Sequence, residues 1–363
     1  MLSELDVKGL RLMRRLPAAV FAGEPAELEI VVHNPRRLVP AWVIEIGELE
    51  GPFGPEGEWT PGPRRMLAHL PPGEKAVLTV RHRFARRGAF ALSGFELRTR
   101  FPFGFFTKYA RASLPAELLV LPAIRPLAAH VWLERLPATG DRQRAGRRQR
   151  GGDEFRSLRD YRRGDPPRWI HWRSSARTGA LQVREFEPLR TEQAVVVVDT
   201  DPGPLPRRAR DPSTPSEADR ALDRVADLAA SLLAGLGRRE VPRRLVIAAN
   251  TGLLEPPVGP TATPQLGALE ALARLAPGDD PHGELLRSAL ERVRGPAALY
   301  VVTAREPGLV DRLLGRHGSG ALPARVLSVR TEADTTHHYA ASPPGTEPLD
   351  PPCDTPRPEL ATP

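Results

Sequence analysis

The chain has 363 residues, a length that suits two domains, each large enough to bury a core without disulfides or metals. Its one cysteine, Cys353, excludes an intrachain disulfide and a cysteine-based zinc site. The formal net charge of +8 is carried almost wholly by arginine, with lysine only at Lys8, Lys75 and Lys108, so the high pI alone is weak evidence for a nucleic-acid partner.

No run approaches the roughly 20 apolar residues that span a bilayer. Met1–Leu16 alternates apolar and charged residues and lacks the apolar core of a secretory signal. The expectation is a soluble, cytoplasmic chain without a transmembrane segment, meeting membranes only through its partners.

Residues 1–123 read as β. Ala26–His33 alternates apolar and polar positions, as a half-buried strand does, and Asn34-Pro35 breaks it. Trp42–Ile46, Lys75–Phe84 and Phe90–Arg98 repeat the pattern. Pro and Gly cluster between them at 51–63 and 71–73, and Glu117–Leu121 adds a short strand. Short strands between turn signals predict an antiparallel sandwich. The aromatic run Phe101–Phe106 is assigned to core packing at the sandwich edge, with a ligand groove as the alternative.

Residues 124–189 hold a basic loop and a distinctive module. The loop, 136–152, is rich in Gly, Arg and Gln with almost no apolar content. In the module, 151–187, arginines and aromatics interleave with carboxylates. Asp153-Glu154 predicts a helical turn running to Tyr161. Pro167 predicts a helix through Arg177, closed by Gly179. Leu181–Phe186 alternates like a strand. Asp160, Asp165 and Glu185 are the natural carboxylate partners of the arginines.

Residues 190–330 alternate strands and helices. Ala194–Val198 is a continuous apolar run, as in a strand covered on both faces. Ser216–Leu236 has helical apolar spacing with Ser216 as N-cap. Strands follow at Leu245–Ala249, Leu299–Thr303 and Ala324–Val329, with helices at Pro264–Leu275, Gly283–Val293 and Leu309–Leu314. That order predicts an open α/β sheet. The fold class is therefore α+β overall, a β-sandwich followed by an α/β domain. Residues 331–363, with no periodicity and many prolines, read as a disordered tail, with His337 and His338 as solvent-exposed bystanders.

The chemistry-bearing motifs are few. The chain lacks a P-loop, a nucleophile elbow, an H-E-x-x-H pair and a strand–G-x-G-x-x-G–helix unit. His171 with Asp165 is the nearest approach to an acid–base pair, and no motif places a nucleophile beside it.

The module carries a resemblance. Glu154, Phe155, Leu158, Arg159, Tyr161, Gly164, Asp165, Arg168, Ile170, Trp172, Ala176, Arg177, Gly179, Leu181, Val183, Arg184, Glu185, Phe186 and Glu187 meet the order of the domain-of-unknown-function 58 signature. Arg15-Leu16-Pro17, Phe21-Ala22-Gly23-Glu24 and Phe101–Phe106 resemble the family's upstream sandwich. The resemblance implies a C-terminal domain similar to the von Willebrand factor A fold and a MoxR-type AAA+ ATPase as partner.

That fold often holds Mg²⁺ through D-x-S-x-S and a later Asp, a hard-cation site of hydroxyl and carboxylate oxygens. Here the loop reads Asp199-Thr200-Asp201-Pro202-Gly203, and Ala304 stands where the later Asp is expected. What remains is a degenerate pair, Asp199 and Asp201, with Mg²⁺ the one candidate cofactor. The function expected is that of a non-catalytic adaptor working with the ATPase in protein assembly or maturation. The alternative is a nucleic-acid or phosphate binder through 142–177, ranked lower because acids are interleaved with the arginines.

Overall fold

The computed structural model describes residues 9–50, 60–101, 105–133, 155–161, 170–186, 193–208, 214–293, 297–316 and 324–340. The fold is α+β. The N-terminal unit contains β1 (Arg11–Arg15), β2 (Val20–Phe21), β3 (Pro25–His33), β4 (Ala41–Glu50), β5 (Thr60–Leu70), β6 (Lys75–Arg83), β7 (Gly88–Thr99) and β8 (Lys108–Leu121). They form one sheet of order β1-β3-β6 and another of order β2-β8-β7-β4-β5. Ala26, Leu28, Ile30 and Val32 of β3 alternate inward and share a core with Ile44, Ile46, Phe95, Leu97 and Val120 of the second sheet. Every strand expected here is present. The pairing departs from a purely antiparallel unit in one place, because β2 runs parallel to β8.

β5 was hidden by the Pro-rich composition of 51–63. It holds Pro61 and Pro63, and it lies at the sheet edge, where a missing N–H is tolerated. β8 is 14 residues long, far beyond the short strand expected at its end. The aromatic run is corrected too. Among its described residues Phe105 and Phe106 are exposed rather than packed, while Phe101 stacks on Trp42.

The central module forms β9 (Phe155–Asp160), α1 (Trp172–Thr178) and β10 (Gln182–Phe186). The helical turn expected before Tyr161 is a strand instead, because β9 pairs antiparallel with β10 from Phe155↔Phe186 to Asp160↔Gln182. The helix expected from Pro167 begins at Trp172, since Ile170 is already bridged in extended form to Val183.

The C-terminal unit contains β11 (Gln193–Asp199), α2 (Glu217–Arg238), β12 (Arg243–Ala249), β13 (Gly252–Leu254), α3 (Leu266–Ala273), α4 (Glu284–Glu291), β14 (Ala297–Thr303), α5 (Pro307–Arg316), β15 (Ala324–Ser328) and α6 (Glu332–His338). The sheet order is β13-β12-β11-β14-β15, parallel except for the short edge strand β13. The apolar run Ala194–Val198 of β11 serves both faces. Val196 and Val198 pack with α2 and α3, while Val195 and Val197 pack with α4 and α5. Ser216 caps α2 as expected, in a capping box with Asp219.

Two expectations about boundaries are corrected. Residues 124–133, expected in the 124–189 segment with the signature module, pack with the C-terminal unit. Val131 is fully buried in its core, and the Ala123 and Arg125 N–H groups donate to Asp227 Oδ1 (2.8 Å) and Ser231 Oγ (2.9 Å) on α2. Residues 331–340 are ordered, because Thr331 and Asp334 form a capping box for α6 and Tyr339 bridges Leu127. His337 is exposed as expected but stacks on His130 at 4.3 Å, and a ring nitrogen of the half-buried His338 lies 3.1 Å from the Ser328 carbonyl. The basic stretch 136–152, the remaining tail 341–363 and Cys353 lie outside the described residues.

The two large units are fastened by charge. Arg87, in the β6–β7 turn, is buried and donates to the carbonyls of Leu272 (3.0 Å), Ala273 (2.8 Å) and Leu275 (3.2 Å) at the C-terminal end of α3. A guanidinium suits that end because its carbonyls are unpaired and partly negative. Asp223 of α2 joins Arg86 (2.5 Å) and Arg87 (3.2 Å).

Candidate functional site

Two places carry the residues singled out in the sequence. The first is the β9–α1–β10 module. His171 caps α1, its Nδ1 accepting from Ser174 N at 3.1 Å, and Gly179 ends it with φ of 71°. Ser175 turns inward. Its Oγ donates to His171 O (3.1 Å) and accepts from Gln182 N (2.8 Å), tying helix to strand. His171 thus serves as a helix cap, while Asp165, paired with it in the sequence reading, lies outside the described residues. Gln182 Nε2 donates to Asp160 Oδ1 at 2.6 Å, and the Tyr161 N–H reaches Leu181 O at 2.8 Å.

This internal bonding leaves Trp172 65 % exposed, with Arg173 and Arg177 exposed beside it. Phe155, Arg159 and Glu185 take their places on the two strands, with Arg159 opposite Val183 and Glu185 opposite Ser157. Glu154, Gly164, Asp165 and Arg168 lie outside the described residues.

The second place is the carboxyl edge of the parallel sheet. From β11 the chain moves to β12 on one side and later crosses to β14 on the other. The strand order therefore reverses between β11 and β14, and ligands of open α/β sheets bind at such a point. β11 ends there with Asp199 and β14 with Thr303.

The crevice is filled from within. Arg305 donates from Nε to Asp199 Oδ2 (2.6 Å) and from Nη2 to Asp199 Oδ1 and Asp280 Oδ2 (both 3.4 Å). Its Nη2 lies 3.7 Å from Asp201 Oδ2. Thr303 Oγ1 donates to Asp199 Oδ2 at 2.8 Å. Asp201 accepts from the N–H groups of Gly203 (2.6 Å) and Asp280 (2.5 Å). Asp280 also accepts from Glu284 N and Leu285 N, at the N-terminal end of α4, where a carboxylate is favoured. Arg207 closes the rim, contacting Asp201 at 3.5 Å and Asp279 at 3.2 Å.

Burial pushes the Asp199 carboxyl above the usual carboxylate range, while Arg305, Thr303 and the Asp201 N–H pull it back. Burial works to lower the Arg305 pKa, but the surrounding carboxylates outweigh it and leave the guanidinium firmly protonated. Asp199 and Asp201, expected as a degenerate metal pair, lie together within this network. These oxygens already accept protein N–H and O–H donors, and a guanidinium occupies their point of convergence. Among the described residues, no group of three or more His, Cys, Asp or Glu is arranged to hold a metal. The sequence reading passed over Arg305 and Asp280. An Arg two residues beyond a largely apolar strand, on the same edge as Asp199, was the signal available.

Further away, Asp227 sits in a cleft of about 380 Å³ between the units, lined also by Arg86, Arg125, Arg220 and Tyr339. Burial raises its carboxyl to about 7, against the pull of the Ala123 N–H and Arg125.

No curated protein matches the chain. Among solved structures, a β-glucosidase from Kluyveromyces marxianus aligns at 10% identity over 33% of this chain and 17% of its own, with a TM-score of 0.17. β-Glucosidase 3B from Thermotoga neapolitana aligns at 12% identity over 31% of this chain and 17% of its own, with a TM-score of 0.15. The chain thus spans about 17% of the length of each, and likenesses this slight carry no argument. Residues 157–299, from the β9–α1–β10 module into β14, match the family model described as protein of unknown function DUF58.

Proposed function

We propose that this chain is a non-catalytic interaction protein, an adaptor for a MoxR-type AAA+ ATPase in the assembly or maturation of other proteins. In this reading the N-terminal unit is a β-sandwich and the C-terminal unit a von Willebrand factor A-like domain. The partner is the one implied by the resemblance of the signature module. One observation carries the reading: Trp172 stands 65 % exposed on a helix whose own module is hydrogen-bonded shut beneath it. An indole exposed to solvent with arginines beside it has the character of an interface anchor. The filled crevice at Asp199 supports the non-catalytic part, since its polar groups are spent on each other.

The test is co-purification of the full chain with a MoxR-type ATPase from the same genome, for the wild type and for Trp172→Ala. Loss of an anchoring Trp weakens binding by on the order of 2 kcal/mol, roughly thirtyfold. The expected result is retention by the wild type and loss by the variant at an unchanged melting temperature. A wild type that never retains the ATPase defeats the reading, and so does a variant that retains it fully.

A further inference from the structure

One end of the N-terminal unit carries a surface that the adaptor reading does not use. Its position follows from the strand registers. His33 opposes Lys75, Ala41 opposes Leu70, Ile44 opposes Thr99, and Thr99 opposes Lys108. The β3–β4, β5–β6 and β7–β8 connections therefore emerge together. The opposite end holds Arg86, Arg87 and the last residues of β8, which dock on α2 and α3 of the C-terminal unit. The first end thus lies opposite the contacts with α2 and α3.

Large apolar side chains crowd it. Leu38 is 89 % exposed, Phe105 83 % and Phe106 82 %. Trp42 and Val43 are also exposed, although neighbours on a regular strand alternate in and out. Val43 breaks the alternation with φ of 46°, a backbone region that β-branched residues rarely enter. Trp42 lies against His69 (4.1 Å) and Phe101 (6.1 Å), forming an aromatic cluster at this end. A concentration of exposed apolar side chains like this marks an interaction surface in a folded protein.

Among the described residues the charges beside it are mostly positive. The described residues of the three connections and the strand starts they lead into hold Arg36, Arg37, Lys75, Arg100 and Lys108 against a single carboxylate, Glu74. Aromatic rings prefer the headgroup boundary of a bilayer, and cations near that boundary are drawn to anionic lipid. We propose that this end of the β unit is a peripheral docking surface for a bilayer rich in anionic headgroups. Phe105 and Phe106 enter the acyl-chain boundary, and the flanking arginines and lysines meet the lipid phosphates.

The test is flotation of the full chain in a density gradient with vesicles of phosphatidylcholine, alone or mixed with phosphatidylglycerol. The expected result is recovery with the mixed vesicles only, falling as salt is raised. The Phe105→Ser, Phe106→Ser double variant is expected to lose at least about tenfold in bound fraction, the effect of keeping two phenyl rings in water. Its melting temperature stays that of the wild type, because both side chains are already exposed. Arg37→Glu, Arg100→Glu is expected to act in the same direction, and Trp172→Ala to float like the wild type. Three results overturn the proposal: no flotation of the wild type, flotation that ignores phosphatidylglycerol, or a double-serine variant that floats undiminished.

Discussion

Arg305 Nε lies 2.6 Å from Asp199 Oδ2, joining the ends of β14 and β11 at the point where the strand order reverses. Both side chains are almost wholly buried, at 3 % and 1 % exposure. The guanidinium serves Asp201 and Asp280 as well, so one internal cation stands where three carboxylates converge.

Arg305→Ala leaves those carboxylates buried without their counter-charge. Removing one partner of a buried ion pair costs about 3–5 kcal/mol. The expected outcome is a large fall in denaturation midpoint at neutral pH, with Arg305→Lys intermediate because it loses the forked geometry. In thermal melts, added Mg²⁺ is expected to recover part of the loss in the alanine variant and to leave the wild type unchanged. An alanine variant as stable as the wild type would refute a structural role for the pair.

Arg87→Ala removes the guanidinium that the N-terminal unit places on the open carbonyls of α3. Hydrogen bonds from charged groups contribute about 1.5–3 kcal/mol, and here the loss falls on the junction between units. Calorimetry should show a lower melting temperature and a transition broadened or split as the two units uncouple. A single unshifted transition would mean that the apolar contacts around Leu121 and Val131 suffice.

Asp227 gives a pH dependence of definite sign. Its carboxyl is raised from the ordinary 3.8 to about 7 in the folded chain. Between those values the unfolded chain releases the proton first, so stability falls as the pH climbs through that window and levels off above it. Asp227→Asn keeps an acceptor for the Ala123 N–H without the titration. Urea denaturation across the window is expected to show a slope in the wild type, on the order of 1–3 kcal/mol in total, that the variant lacks. Equal slopes in both would remove Asp227 as the source.

Gly94→Ala addresses a close approach of backbones. Gly94 sits at the register shift of β7 against β8 with φ of 150°, and an added Cβ would strike Ala112 O and come within 2.9 Å of Leu114 N. Two backbone groups of a paired strand cannot step aside, so the loss is expected at about 3 kcal/mol or more. A circular-dichroism melt of Gly94→Ala matching the wild type would show that the strands can part there at little cost.

Much of this protein was legible in the sequence wherever local pattern sets local structure. The alternation of Ala26–His33 produced β3, the unbroken run Ala194–Val198 produced a strand buried on both faces, and Ser216 capped the helix that its spacing announced. The signature of 151–187 named a family but not its own shape. Phe155–Asp160 is a strand because β10, more than twenty residues on, pairs with it, and that pairing overrides a weak local preference for a turn of helix.

Only the tertiary structure decided which charges meet. Asp199 and Arg305 are 106 residues apart, and Arg87 and the α3 carbonyls about 185. In so arginine-rich a chain every carboxylate has many candidate partners at the level of sequence. Burial is what selects among them, because a desolvated charge is tolerated only where its complement is held within hydrogen-bond reach. For that reason an Asp-rich loop that read as the remnant of a metal site turned out to be the seat of a guanidinium.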